Sequence, residues 1–137
     1  MGGTYLSRGA YLFNTHALVF WANRTSVSDG FIQFFDRRDR QGNLYISSVS
    51  FWEIGLLVKK GRLAIEDVHA WKNEILAHTD VQLIDPSAEE MIDSTLLPDY
   101  HKDPFDRLLV AQAQRRDLTL VSKDERVRDY EVRVFWL

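Results

Sequence analysis

Leu44-Tyr45-Ile46-Ser47-Ser48-Val49-Ser50-Phe51-Trp52-Glu53-Ile54-Gly55-Leu56-Leu57-Val58-Lys59-Lys60-Gly61 is the stretch whose reading decides the fold. Its first four residues read as a buried strand. From Ser48 to Lys60 the apolar residues continue into a helix that ends at Gly61, a C-terminal cap residue preceded by two lysines that suit the negative end of the helix dipole. A buried strand running straight into a largely apolar helix is the unit from which covered parallel sheets are built.

The same alternation continues in both directions. Upstream, residues 10–13 predict a short buried strand, 15–22 a helix entered through Asn14 or Thr15, and 28–40 a helix with Phe31, Phe34 and Phe35 at helical spacing, stopped by Gln41-Gly42-Asn43. Downstream come a helix over 65–78, a strand over 81–84, and a helix over 87–97 with the Ser87/Glu90 capping-box pattern. A helix over 103–116, a strand over 118–122, a short turn or helix over 123–130 and a strand over 132–136 complete the chain. The expected fold class is α/β: a parallel sheet of four or five strands with helices on both faces.

Composition bounds the possibilities. At 137 residues, 45% hydrophobic and 27% charged, the chain fits one domain, expected over residues 10–137 behind a flexible tail of residues 1–9 that holds three glycines. No cysteine is present, which excludes disulfides, thiolate metal sites and cysteine nucleophiles and suits a reducing compartment, the cytoplasm by default. No apolar run approaches the roughly 20 residues of a membrane helix, so no membrane role is expected. The net charge of -3 gives no whole-molecule attraction to nucleic acid, so RNA or DNA handling requires a local device.

In open α/β sheets ligands bind beyond the carboxyl ends of the strands, so polar residues just after strands are the candidates. Asn14 follows the first strand and also suits a helix N-cap; Asp124 follows the strand at 118–122 and also suits a turn. Glu53 is the single charge among residues 49–58 of a mostly apolar helix, so it either reaches solvent or a salt bridge, Arg107 being one partner, or serves a site. In His101-Lys102-Asp103-Pro104-Phe105-Asp106-Arg107, Asp103 suits an N-cap and Pro104 the first helical position, while Asp106, three residues after the cap, nearly makes a capping box that Glu or Gln would complete better, and can alternatively project toward the strand ends. Clustered carboxylates repel one another unless a divalent cation lies between them, and an oxygen-only set selects hard ions such as Mg²⁺ or Mn²⁺. His16, His69, His78 and His101 form no pair at metal-ligand spacing and read as surface or packing residues, and neither a Gly-rich phosphate loop nor a nucleophile elbow occurs.

Four segments together carry a family resemblance. Tyr11-Leu12-Phe13-Asn14-Thr15-His16-Ala17-Leu18, Ile46-Ser47-Ser48-Val49-Ser50-Phe51-Trp52-Glu53-Ile54, His101-Lys102-Asp103-Pro104-Phe105-Asp106-Arg107-Leu108-Leu109 and Leu118-Thr119-Leu120-Val121-Ser122-Lys123-Asp124 resemble, in this order, the PIN domain of VapC-type toxins from bacterial toxin-antitoxin modules. The resemblance implies a Mg²⁺- or Mn²⁺-dependent endoribonuclease whose metal-binding and catalytic positions are Asn14, Glu53, Asp106 and Asp124. It implies an RNA substrate, a VapB-type antitoxin as partner, and a homodimer or toxin-antitoxin hetero-oligomer. The family carries Asp after the first strand, so Asn14 implies impaired cleavage, and a catalytically silent PIN-fold binding module is the alternative. Basic residues expected to steer phosphates are Lys59, Lys60, Arg62, Arg107, Arg115 and Arg116, and Trp21, Phe31, Phe34 and Phe35 are expected to line, in part, a groove for an antitoxin helix.

Overall fold

A computed structural model describes residues 9–137; the expected tail lies outside the described residues except for Gly9. The strands are β1 (Tyr11–Phe13), β2 (Leu44–Ser47), β3 (Gln82–Ile84), β4 (Thr119–Val121) and β5 (Val134–Phe135). They form one sheet in the order β3-β2-β1-β4-β5, every neighbouring pair parallel. The helices are α1 (Thr15–Asn23), α2 (Asp29–Arg40), α3 (Ser48–Lys59), α4 (Val68–His78), α5 (Ala88–Leu96) and α6 (Pro104–Arg116), with a 3₁₀ turn at Glu125–Asp129.

Side-chain alternation along the strands splits the core in two. Phe13 and Val121 face a cluster with Leu18, Trp21, Phe31, Phe35 and Ile75 from α1, α2 and α4. Leu12 and Leu120 face the other side, where Leu109, Val110 and Ala113 of α6 meet Val127 and Tyr130, and α5 packs on α6. Helix α3 bridges the layers, with Ile54 in the first core and Val49 in the second.

Helix starts follow their caps. Ser28, Ser87 and Asp103 accept backbone N–H bonds from Phe31, Glu90 and Phe105, and Glu90 returns the bond to Ser87 as the sequence predicts. Helix α4 starts at Val68, later than the expected residue 65, because Asp67 accepts from Ala70 N–H and sets the first turn. Gly61 has φ +72, the left-handed conformation that ends α3 at little cost for glycine.

The expected aromatic groove is overturned in most of its members. Trp21, Phe31 and Phe35 are fully packed, and Phe34 is half-buried between Phe35, Phe135 and the Arg38 guanidinium. Rings spaced by one helical turn on α1 and α2 meet Phe13 and Tyr11 on the sheet, so they fill the core. Large exposed apolar side chains occur elsewhere: Trp52 of α3 and Met91, Ile92 and Leu96 of α5.

Candidate active site

The strand order reverses direction between β1 and β4, which places a crevice at their carboxyl ends. Asn14 leaves β1 and Asp124 leaves β4 into this crevice, Glu53 reaches it from the second turn of α3, and Asp106 from the first turn of α6. The side chains of Glu53, Asp103 and Asp124 are close enough to Asp106 to act on its charge, so carboxylates from separate elements share one locality.

Asn14 caps α1: Oδ1 accepts from Ala17 N–H at 2.8 Å while Nδ2 donates to Ser122 Oγ at 3.1 Å. Ser122 Oγ also accepts the backbone N–H of Asp124 at 3.1 Å, so Asn14 is tied to the loop that carries Asp124. Glu53 is buried, and its Oε1 has no hydrogen-bond partner among the described residues. Burial raises its pKa; the Thr15 hydroxyl partly offsets this, and the Asp103 charge adds to it. The expected alternative of a Glu53–Arg107 salt bridge is not formed. Arg107 instead donates to the carbonyls of Ser94, Leu97, Pro98 and His101 at 3.1, 2.7, 3.0 and 3.0 Å.

Asp106 does not cap its helix. Burial first, then the charges of Asp103, Glu53 and Asp124, push its pKa up to about 6, against the opposing pull of His101. Asp124 goes the other way: Arg126 holds both of its oxygens, Nε on Oδ1 at 3.1 Å and Nη2 on Oδ2 at 2.8 Å, and its pKa falls to about 2. These opposite shifts have different causes, burial for Asp106 and the Arg126 guanidinium for Asp124. Asp124 has a guanidinium fork on its outer edge, and Asp106 has carboxylates around it.

His101 corrects the sequence reading. It is neither a surface residue nor a plain packing residue: it is buried in the crevice with Nε2 2.8 Å from Asp106 Oδ2 and 3.1 Å from Asp124 Oδ2. No spacing rule shows this, because its partners are five and twenty-three residues away; a histidine two positions before an N-cap Asp was the available signal. Three of the expected phosphate-steering residues are otherwise engaged. Arg107 is buried on backbone carbonyls, Arg115 pairs with Asp93, and Arg116 with Glu90; Lys59, Lys60 and Arg62 are exposed. Lys123, beside Asp124, places its ammonium over Phe20 and Trp136, 5.4 and 5.9 Å from the ring centroids.

The residues present fit a hard divalent cation. An orphaned buried carboxylate oxygen on Glu53, and the burial of Asp106 among the charges of Asp103, Glu53 and Asp124, are what such an ion would relieve.

The sequence matches the PIN domain family over residues 11–132. The chain belongs to the PIN domain family. A relative, Ribonuclease VapC22 of Mycobacterium tuberculosis, is 27% identical over 122 residues, covering 87% of this chain and 90% of that protein. The fold is similar to the crystal structure of VapBC2 from Rickettsia felis bound to a DNA fragment from their promoter, with a TM-score of 0.71 at 17% identity over 92% of this chain and 97% of the other. It is also similar to DNA-bound VapBC from Salmonella typhimurium, with a TM-score of 0.68 at 15% identity over 92% and 96% of the two chains. At these identities the structural likeness concerns the PIN fold itself, an all-parallel five-stranded sheet between helices.

Proposed function

We propose that this chain is the toxin component of a type II toxin-antitoxin system, a Mg²⁺- or Mn²⁺-dependent endoribonuclease of the cytoplasm, impaired by Asn14 where a metal-binding Asp is expected. The observation that carries the reading is the convergence of Glu53, Asp106 and Asp124 at the β1/β4 crevice, with Glu53 Oε1 left unpartnered among the described residues. The similarity to Ribonuclease VapC22 supports RNA as the substrate.

Glu53, Asp106, Asp124 and the position of Asn14 would hold the metal. When bound, the ion supplies Lewis acidity, lowering the pKa of a water and offsetting charge on an RNA phosphodiester and its leaving oxygen. The protein's part is positional. Asp106 and Asp124 are fixed by hydrogen bonds from neighbouring groups, and Glu53 is buried with Oε1 left available. Asn14 spends its amide on the helix cap and Ser122, and it contributes no charge.

The partner is a VapB-type antitoxin, in a hetero-oligomer or beside a toxin homodimer, supported by the VapBC complexes among the structural neighbours. An exposed apolar face suits such a contact: Trp52 and Met91 border a groove of about 480 Å³ that Val49, Pro86, Phe105 and Leu108 also line.

The test is cleavage of a panel of structured RNAs by the chain and by Asn14→Asp, freed of antitoxin. Asn14→Asp is expected to cut with Mg²⁺ or Mn²⁺ and to stop with EDTA, while the parent chain cuts slowly or not at all. A folded Asn14→Asp protein that binds no divalent ion and cuts no RNA overturns the nuclease reading. The binding-module reading, which the structural bonds of the Asn14 amide to Ala17 and Ser122 favour, then takes its place.

A further inference from the structure

We infer that His101 is a positioning residue of the acidic centre, an inference that rests on the nuclease reading: its Nε2–H bridges Asp106 and Asp124 and fixes the spacing of the two carboxylates.

The proton's place follows from the backbone. The N–H of Asp103 points at His101 Nδ1 at 3.2 Å, and an N–H can only donate, so Nδ1 carries a lone pair. The ring's one proton is therefore on Nε2, within reach of Asp106 Oδ2 at 2.8 Å and Asp124 Oδ2 at 3.1 Å. Both ring nitrogens are thereby occupied, so His101 is not itself a metal ligand although its nitrogen lies near the carboxylate oxygens.

The chemistry explains why an imidazole suits this position. Asp106 lies in the first turn of α6 and Asp124 follows β4, so nothing covalent sets their separation, and like charges drive them apart. A single ring N–H draws one oxygen of each to a common point. An ammonium or guanidinium in the same place would compete with a divalent ion. Arg126 does bind Asp124, but as a largely exposed side chain at the outer edge of the crevice.

The ring is also aimed. Its residue donates its backbone N–H to Tyr130 Oη at 3.1 Å, and its carbonyl accepts from Arg107 Nη1 at 3.0 Å. Arg107 further holds the Leu97 and Pro98 carbonyls, and Tyr130 Oη donates to Pro98 O at 2.7 Å. The loop between α5 and α6 is thus pinned on both sides of His101, the outer layer that fixes ligand orientation in metal sites.

Mn²⁺ binding, titrated by EPR and calorimetry, tests this in the parent chain and in Asn14→Asp, each with His101→Gln, His101→Leu and His101→Asn. Gln keeps an N–H donor near the Nε2 position; Leu fills the volume without one; the shorter Asn amide falls short of both carboxylates and serves if the Leu variant does not fold. Leu and Asn are expected to weaken Mn²⁺ affinity by about 10- to 100-fold, with Gln staying within about threefold of its parent. Unchanged affinity in folded His101→Leu or His101→Asn, with only the unfolding temperature lowered, overturns the inference and leaves the nuclease reading standing. A ¹⁴N coupling to bound Mn²⁺ that His101→Gln removes also overturns it, by making the ring a ligand. Absence of Mn²⁺ binding in both the parent and Asn14→Asp defeats the nuclease reading and this inference together.

Discussion

Glu53 and Glu90 are two buried glutamates in one small domain, and their surroundings are opposite. Glu90 sits at the third position of α5, where Oε1 accepts from Ser87 N–H at 2.8 Å and Arg116 grips both oxygens at 2.8 and 3.0 Å. Its pKa is lowered, Arg116 being the largest cause. Glu53 has an oxygen without a partner among the described residues, and burial raises its pKa. A carboxylate buried with complete hydrogen bonding serves the fold, whereas one buried without it costs stability that a proton or a ligand would return. On the nuclease reading proposed above, the difference separates framework from site.

The largest effect expected from this contrast is on activity. In the Asn14→Asp background, Glu53→Gln should lower Mn²⁺-dependent RNA cleavage by about 100-fold or more, because it removes the charge of a group proposed to hold the ion. Glu90→Gln, at the other end of α6 from Asp106, should leave the cleavage rate per folded molecule unchanged. Equal losses in both variants would erase the distinction.

Stability should respond in the reverse sense. Glu90→Ala loses the capping box and leaves Arg116 with the Asp85 carbonyl but no carboxylate partner, so urea unfolding at pH 7 should show a loss of about 1–3 kcal/mol. In EDTA, Glu53→Gln should instead gain about 1 kcal/mol, since the buried charge is gone. The pH dependence of the Glu90 contribution follows from its direction of shift. Because its folded pKa lies below the ordinary value of 4.5, the stabilisation is fully present above that pH and is lost as the pH falls through the folded pKa. The stability gap between the parent and Glu90→Gln should therefore be constant from pH 7 to 5 and shrink below about 4.5.

This contrast also marks what was legible in the sequence. The alternation of strands and helices was, because each apolar run has a length and a cap that act locally: Ser28, Ser87 and Asp103 start their helices where expected. The solitary charge of Glu53 in an apolar helix was legible as an anomaly, and the structure places its side chain near Asp103 and Asp106. His101 was not, since its meeting with Asp106 and Asp124 depends on a loop held by Arg107 and Tyr130, contacts that no spacing encodes. Arg107 was misread for the same reason: a guanidinium that satisfies backbone carbonyls looks, in a sequence, like one free for phosphate. The aromatic groove failed on packing. Rings on α1 and α2 interlock with those of β1, which the count of aromatics alone did not reveal.

The smallest expected effect sharpens the account of Glu90. Arg116 meets the carboxylate through Nε and Nη2, a two-point fork, while Nη2 also donates to the Asp85 carbonyl at 2.8 Å. A lysine keeps the charge but presents a point donor, so it can serve Glu90 or the Asp85 carbonyl with good geometry and not both. If the fork accounts for the low pKa of Glu90, Arg116→Lys should cost about 0.5–1 kcal/mol in urea unfolding at pH 7 and raise the Glu90 pKa, read by NMR titration, toward its ordinary value. If charge alone accounts for it, the lysine variant should match the parent in both measurements. Glu90 would then resemble an ordinary partly screened ion pair, and its difference from Glu53 would reduce to the presence or absence of a nearby positive charge.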